Sequence, residues 1–186
     1  RKLHGKRYFG QLLERVEDVP DSVKDLLKLS RSNLELFVAI QKKLLKVLRE
    51  DSLISKRVEL LQSISGVGEI MALTWVLEIG DPGRFSNSRQ AISYCGLCSA
   101  QHESAGKEHR GPISKKRNKY IQSMFIEDAN IAPLWNPLLD MLYEKELTRG
   151  NCNRATLAVA RKLVKFMLAV DRRGEPFIAE KESLVV

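Results

Sequence analysis

Aromatic residues make up only 6% of this 186-residue chain, and cysteine occurs three times. Cys95, Cys98 and Cys152 are too few and too unevenly spaced for a disulfide framework. Cys95 and Cys98 form a C-x-x-C, but no second pair completes a zinc site, and Cys95 closes the apolar run Ile92-Ser93-Tyr94-Cys95. They read as reduced cytosolic thiols. No apolar run approaches the ~20 residues needed to span a bilayer, and no signal peptide is visible. The scattered acids Asp51, Glu59, Glu69, Glu78 and Asp81 follow no metal-ligand pattern, so no metal residues are assigned. The chain starts at Arg1 without an initiator Met and is expected to be part of a longer protein.

What is present favours helix around a real core. Hydrophobic residues reach 44%, and Leu, Lys, Glu and Ala are common. The net charge is +8. From Arg84 to Tyr120 there are eight Lys and Arg against Glu103 and Glu108, and from Arg154 to Arg173 six against Asp171 alone. The remainder of the chain is net acidic. Positive charge gathered in this way suits a polyanionic partner better than a merely solvated surface does.

The chain reads as mainly helical, all-α in class. A long amphipathic helix is expected over about Ser22 to Glu50, with Leu27, Leu34, Phe37, Leu44 and Leu48 at three- and four-residue steps. Leu26, Leu36, Ile40 and Val47 widen its stripe, and Asp21 or Ser22 can cap it after Pro20. It fits either a helix packed on the domain or a dimerising coiled coil. Further helices are expected over Leu53–Ser63, Glu69–Ile79, Ser88–Cys95, Ser114–Ala132, Leu134–Leu147 and Asn153–Asp171. Ser114 would cap its helix, which would bury Tyr120, Ile121, Met124, Phe125 and Ala129. Leu97 to Pro112 has no helical period and reads as a long irregular loop or a β-hairpin. These elements divide into a linker helix over 1–52, a compact domain over 53–177 and a tail over 178–186.

Three constellations carry possible chemistry. Two helices meet at Ser65-Gly66-Val67-Gly68, the pattern of a helix-hairpin-helix. There glycines let backbone N–H groups approach a phosphate, and the next helix offers its positive dipole end. An ordinary helix–helix turn would use the same glycines. The polar loop Gln101 to Gly111 sets the Ser104 hydroxyl beside Ala105 and Gly106, with His102, His109, Lys107 and Arg110 nearby, and leads into Lys115, Lys116, Arg117 and Asn118. A phosphodiester under attack needs such a nucleophile, and cations on its non-bridging oxygens; a solvated loop has the same composition. Arg154, Arg161, Lys165 and Arg172, with Lys162 adjacent, form a cationic stripe on the last helix.

The ordered set Ile64-Ser65-Gly66-Val67-Gly68, Glu78-Ile79-Gly80-Asp81-Pro82, Arg84-Phe85, Tyr94-Cys95-Gly96-Leu97, Ser104-Ala105-Gly106-Lys107, Arg110-Gly111-Pro112-Ile113-Ser114-Lys115, Asn118 and Ala158-Val159-Ala160-Arg161-Lys162-Leu163 resembles the C-terminal transposase domain of the IS-one-ten family of insertion-sequence transposases. The likeness spans roughly Leu60 to Phe177, and the preceding helix resembles the coiled coil that joins the family's two domains. It implies a serine nucleophile, here Ser104, acting through a phosphoserine intermediate. It also implies an N-terminal resolvase-like domain whose four acids bind Mg²⁺, so Mg²⁺ is expected in the full-length protein and no cofactor in this chain. Ala105 departs from the Ser-Gly the family often shows there. Implied partners are double-stranded DNA, for some members a structured guide RNA, and a second copy paired through the N-terminal helix, with no membrane. The location expected is the bacterial or archaeal cytoplasm, on the nucleoid. The expected DNA-binding residues are Gly66, Val67, Gly68, Lys107, Arg110, Lys115, Lys116, Arg117, Asn118, Arg161, Lys162 and Lys165. The alternative is a non-catalytic helix-hairpin-helix module in which Ser104 merely contacts a phosphate.

Overall fold

The computed structural model describes residues 5–16, 18–104, 107–113 and 117–179, with the side chains of 6, 7 and 100–112 left aside. Contacts divide the chain into two units, Arg1–Glu50 and Asp51–Val186. In the first, α1 (Lys6–Arg15) precedes α2 (Asp21–Glu50), 30 residues and about 45 Å long. No helix was expected over α1, although Tyr8, Phe9, Leu12 and Leu13 recur there at helical spacing. Pro20, rather than Asp21 or Ser22, opens α2: its carbonyl accepts the Val23 and Lys24 N–H groups at 2.9 and 3.1 Å. Arg31 lies over the Phe9 ring at 5.7 Å and pairs with Glu35 at 3.0 Å. No residue of α2 is buried, and Leu26, Leu36, Phe37, Leu44 and Val47 are all exposed.

The second unit holds α3 (Ser52–Gln62), α4 (Glu69–Ile79), α5 (Ser88–Tyr94), a hairpin of β1 (Ser99–Ser104) and β2 (Lys107–Ile113), α6 (Lys119–Ile131), α7 (Pro137–Thr148) and α8 (Cys152–Arg173). Short 3-10 turns occupy Pro82–Arg84 and Ala132–Leu134. The mainly helical class expected is therefore found, with a hairpin as its one sheet among the described residues.

α8 is the axis of the core, touching α3, α5, α6 and α7. It buries Val159, Leu163, Val164, Phe166, Met167, Leu168 and Val170, each of the larger ones contributing about 1.5–3 kcal/mol. α4 is apolar on most of its circumference and is correspondingly enclosed, with Met71, Ala72, Trp75, Val76 and Ile79 buried. Trp75 meets Phe125 of α6 edge to face, 5.9 Å between centroids at 87°.

The interior is not wholly apolar. The Asp171 side chain, 1% exposed, accepts two hydrogen bonds from Arg57 at 2.8 and 2.7 Å and one from the Trp75 indole at 2.8 Å. Hydrogen bonding to Asp171 holds the Arg57 guanidinium above its ordinary pKa. One buried carboxylate thus joins α3, α4 and α8.

α6 starts later than expected. Asn118 caps it by accepting the Tyr120 and Ile121 N–H groups at 3.0 and 3.4 Å, and Ser114 lies outside the described residues. In its first turn Tyr120 is 77% exposed, and Gln122 is buried. Ile121, Phe125 and Ala129 do face the core, and Met124 is half-buried. In the same helix the Asp128 carboxyl has a buried oxygen without a hydrogen-bond partner, and desolvation, helped by Glu127, pushes its pKa up to about 6.

Asp171→Ala should cost about 3 kcal/mol by leaving Arg57 and Trp75 unsatisfied, and Trp75→Phe about 1 kcal/mol, both read by urea unfolding. Asp128→Asn should act in the opposite sense. A carboxyl whose pKa is raised on folding destabilises the fold when ionised, so its penalty is absent near pH 4 and complete above about pH 6. The variant should gain about 1 kcal/mol at pH 7, discounted for partial solvent screening, and nothing at pH 4. An equal gain at both pH values would exclude titration as the cause.

Candidate nucleic-acid interface

The turn between α3 and α4 divides its work among three residues. Gly66 has φ +95°, and a Cβ there would come within 2.9 Å of Ala132, so the absent side chain is used for close packing against the 3-10 turn. Val67 is buried and its N–H already donates to the Ile64 carbonyl at 2.9 Å. Asn136 closes the arrangement by donating to the Ser65 carbonyl at 3.2 Å. Gly68 is exposed, with open space around the position of a Cβ. It begins α4, whose first turn has no side-chain cap and carries Glu69.

The hairpin rises from a polar foot. Register pairs Gln101 with Arg110, His102 with His109, Glu103 with Glu108 and Ser104 with Lys107. Between Ser99 and Gln101 the ladder is irregular, opposite Gly111-Pro112, where proline has no N–H to give. Ser104 and Lys107 therefore close the described ladder at its far end. Lys115 and Lys116 lie outside the described residues, and the side chains of Ser104, Lys107 and Arg110 are not described.

Gly96, φ +71°, precedes β1, and a Cβ on it would meet Cβ of Arg117 at 2.6 Å and its Cδ at 2.9 Å. The Arg117 stem thus lies directly on the glycine. The Gly96 carbonyl accepts from buried Gln122 at 2.5 Å, and the Leu97 carbonyl accepts from Arg161 Nε at 2.8 Å. On the other strand's side, Asn118 donates to the Glu78 carboxylate through a short hydrogen bond, while the Tyr94 hydroxyl donates to the Glu78 carbonyl at 3.1 Å. Residues from α4, α5, α6 and α8 thus converge where the hairpin joins the domain.

Several expected phosphate ligands have a structural engagement here. Arg117, Asn118 and Arg161 gather at the foot, and Lys162 lies over Phe166 at 5.0 Å. Arg154 of the same helix pairs with Glu146 at 2.8 Å, whose pKa that hydrogen bond lowers. Lys165 is half-buried and makes no hydrogen bond or ion pair among the described residues. The sequence named Glu78 only as part of the family pattern and as a scattered acid, with no structural role, and Gln122 went unmentioned. Cys95 is buried and its thiol pushed up to about 12 by desolvation, which keeps it neutral. Among the described residues no group of three His, Cys, Asp or Glu side chains could hold a metal ion. No helix among them is long and apolar enough to cross a membrane.

Gly66→Ala should lower stability by about 2 kcal/mol, from the left-handed backbone and the Ala132 clash together. Gly68→Ala should be nearly neutral. Thermal melts of the two variants check the contrast, and equal losses would contradict it.

Residues 58–144 match the model of the Transposase IS116/IS110/IS902 family. The chain is similar to the Coxiella burnetii transposase for insertion sequence element IS1111A, 33% identical over 122 residues, 62% of this chain and 33% of that protein. It is also similar to the Yersinia enterocolitica transposase for insertion sequence element IS1328, 26% identical over 121 residues, 63% of this chain and 36% of that protein. It thus spans about a third of the length of these curated relatives. The glycine turn and the hairpin lie inside the matched segment, and Arg161 of the foot lies beyond it.

Proposed function

We propose that this chain is the serine-presenting, DNA-binding part of an insertion-sequence transposase, with Ser104 as nucleophile. The observation that carries this reading is the hairpin itself: Ser104 and Lys107 end a two-stranded ladder whose foot is clamped from four helices. A nucleophile on a rigid support loses little entropy on reaching its target. The Ser104 hydroxyl would attack the phosphorus of a DNA phosphodiester, forming an Oγ–P bond as the bond to one deoxyribose oxygen breaks. Its proton leaves to a base, and the departing oxygen is protonated in turn. Lys107 and Arg110, with Lys115 and Lys116, would offset charge on the non-bridging oxygens. Gly68 and the uncapped first turn of α4 would hold the backbone elsewhere, and Lys165 remains free to add a contact.

Mg²⁺ belongs, on this reading, to a resolvase-like domain outside this chain and would supply charge neutralisation at the same phosphate. Homo-dimerisation would use α2, whose apolar residues Leu26, Leu36, Phe37, Leu44 and Val47 are exposed among the described residues. A guide RNA rests on the family likeness alone.

Ser104→Ala in the full-length transposase should reduce strand transfer at least about a hundredfold and abolish any covalent protein–DNA adduct on denaturation. Normal transposition by that variant would end the nucleophile assignment. Duplex binding that persists without an adduct in the unsubstituted protein would favour a binding-only module. Gly68→Ala should weaken duplex binding several-fold while leaving stability unchanged.

A further inference from the structure

Arg84 stands apart from the other cations at the foot of the hairpin, because its partners are aromatic rings. The turn that carries it is stiff: Asp81 accepts the Gly83 N–H at 2.8 Å, and Arg172 of α8 donates to the Pro82 carbonyl at 3.1 Å. The next residue, Phe85, is buried, and its ring meets that of Tyr94 at 5.7 Å and 58°. The Tyr94 ring is tethered at its far end by its hydrogen bond to the Glu78 carbonyl. Over this floor lies the Arg84 guanidinium, 4.3 Å from the Tyr94 centroid and 4.7 Å from that of Phe85.

A guanidinium over rings is attracted through its positive charge to their faces, and this contact consumes none of its five N–H donors. Arg84 is exposed, and among the described residues no carboxylate or carbonyl accepts from it. It therefore combines a positioned head group with unused donors, so little side-chain entropy remains to be lost when an anion binds. Other basic side chains share its surroundings: Arg172 touches the same turn, and Arg89 is exposed on α5. Tyr94 ends α5 two residues before Gly96, so the platform lies where the chain leaves the helical body for the hairpin. β1 then covers about 17 Å from Ser99 to Ser104 at ~3.4 Å per residue. That separation suits contacts to different phosphates of one duplex.

We propose that Arg84, held on Phe85 and Tyr94, binds a backbone phosphate of duplex DNA flanking the one presented to the hairpin. This rests on the DNA-binding reading above. The contact is a binding contact without base readout, so it adds affinity and salt dependence and no sequence preference.

The test is fluorescence anisotropy of this chain with a short labelled duplex, across a sodium chloride series. Arg84→Ala should weaken binding about five- to twentyfold at low salt and make the slope of log K against log salt shallower by about one. Arg84→Lys, which keeps the charge and loses the planar head group, should fall between. Lys145→Ala, on the acid-rich α7, is the matched loss of one charge elsewhere and should leave the slope unchanged. Melting temperatures should differ by only a few degrees across the set, since Arg84 is exposed and its removal costs only the ring contact. Arg84→Ala binding within twofold of the unsubstituted chain, with an unchanged slope, overturns the proposal. A loss seen with a structured RNA and absent with duplex DNA overturns it equally. An unsubstituted chain that binds no duplex removes the underlying reading, a different failure from the preceding two.

Discussion

The buried carboxylate of Asp171 is the constraint on which the second unit depends. Three donors from two other helices end on its two oxygens, and its side chain is almost fully enclosed. Taking that charge out of water costs several kcal/mol, which the bidentate arginine and the indole N–H offset only in one geometry. The carboxylate therefore contributes less to total stability than to the uniqueness of packing among α3, α4 and α8. With α4 fixed, Glu78 near its end is delivered to Asn118 and Tyr94. With α8 fixed, Arg161 reaches the Leu97 carbonyl and Arg172 reaches Pro82.

A two-stranded hairpin is marginal on its own in water, and this one has no third strand among the described residues. Its order has to come from below. Gln122 and Arg161 satisfy consecutive carbonyls just before β1, the Arg117 stem covers Gly96, and Asn118 both caps α6 and binds Glu78. Cations that composition alone would assign to a polyanion are thus partly occupied in holding chain to chain. The proposed nucleic-acid surface is correspondingly narrower: the hairpin end, the exposed Gly68, Lys165, and Arg84 on its aromatic floor.

The helices were legible because their signals are local. Apolar spacing, the glycine stops and the proline before α2 set twelve of the fourteen expected helix boundaries to within two residues. α1 went unseen although Tyr8, Phe9, Leu12 and Leu13 recur at helical spacing, because the segment is short and carries Gly10 in its interior. The start of α6 was misplaced because Ser114 and Asn118 are both competent caps by type. Asn118 prevails in the structure because its amide can bind Glu78 and the helix N–H groups at once. Tyr120 went to solvent and Gln122 inward for the related reason that Gly96 offers a carbonyl which only a buried donor can satisfy.

The sequence by itself determined the mainly helical class, the glycine turn, the family likeness and the segregation of positive charge, since each is written in neighbouring residues. It also named Ser104, through the likeness rather than through any local chemistry. Only the tertiary structure decided which cations are free. An arginine bound to a carboxylate 114 residues away, as Arg57 is to Asp171, and one resting on aromatic rings, as Arg84 does, are indistinguishable in a linear string. Hydrogen bonds and ring contacts depend on distances of a few ångströms, and those are set when distant helices pack.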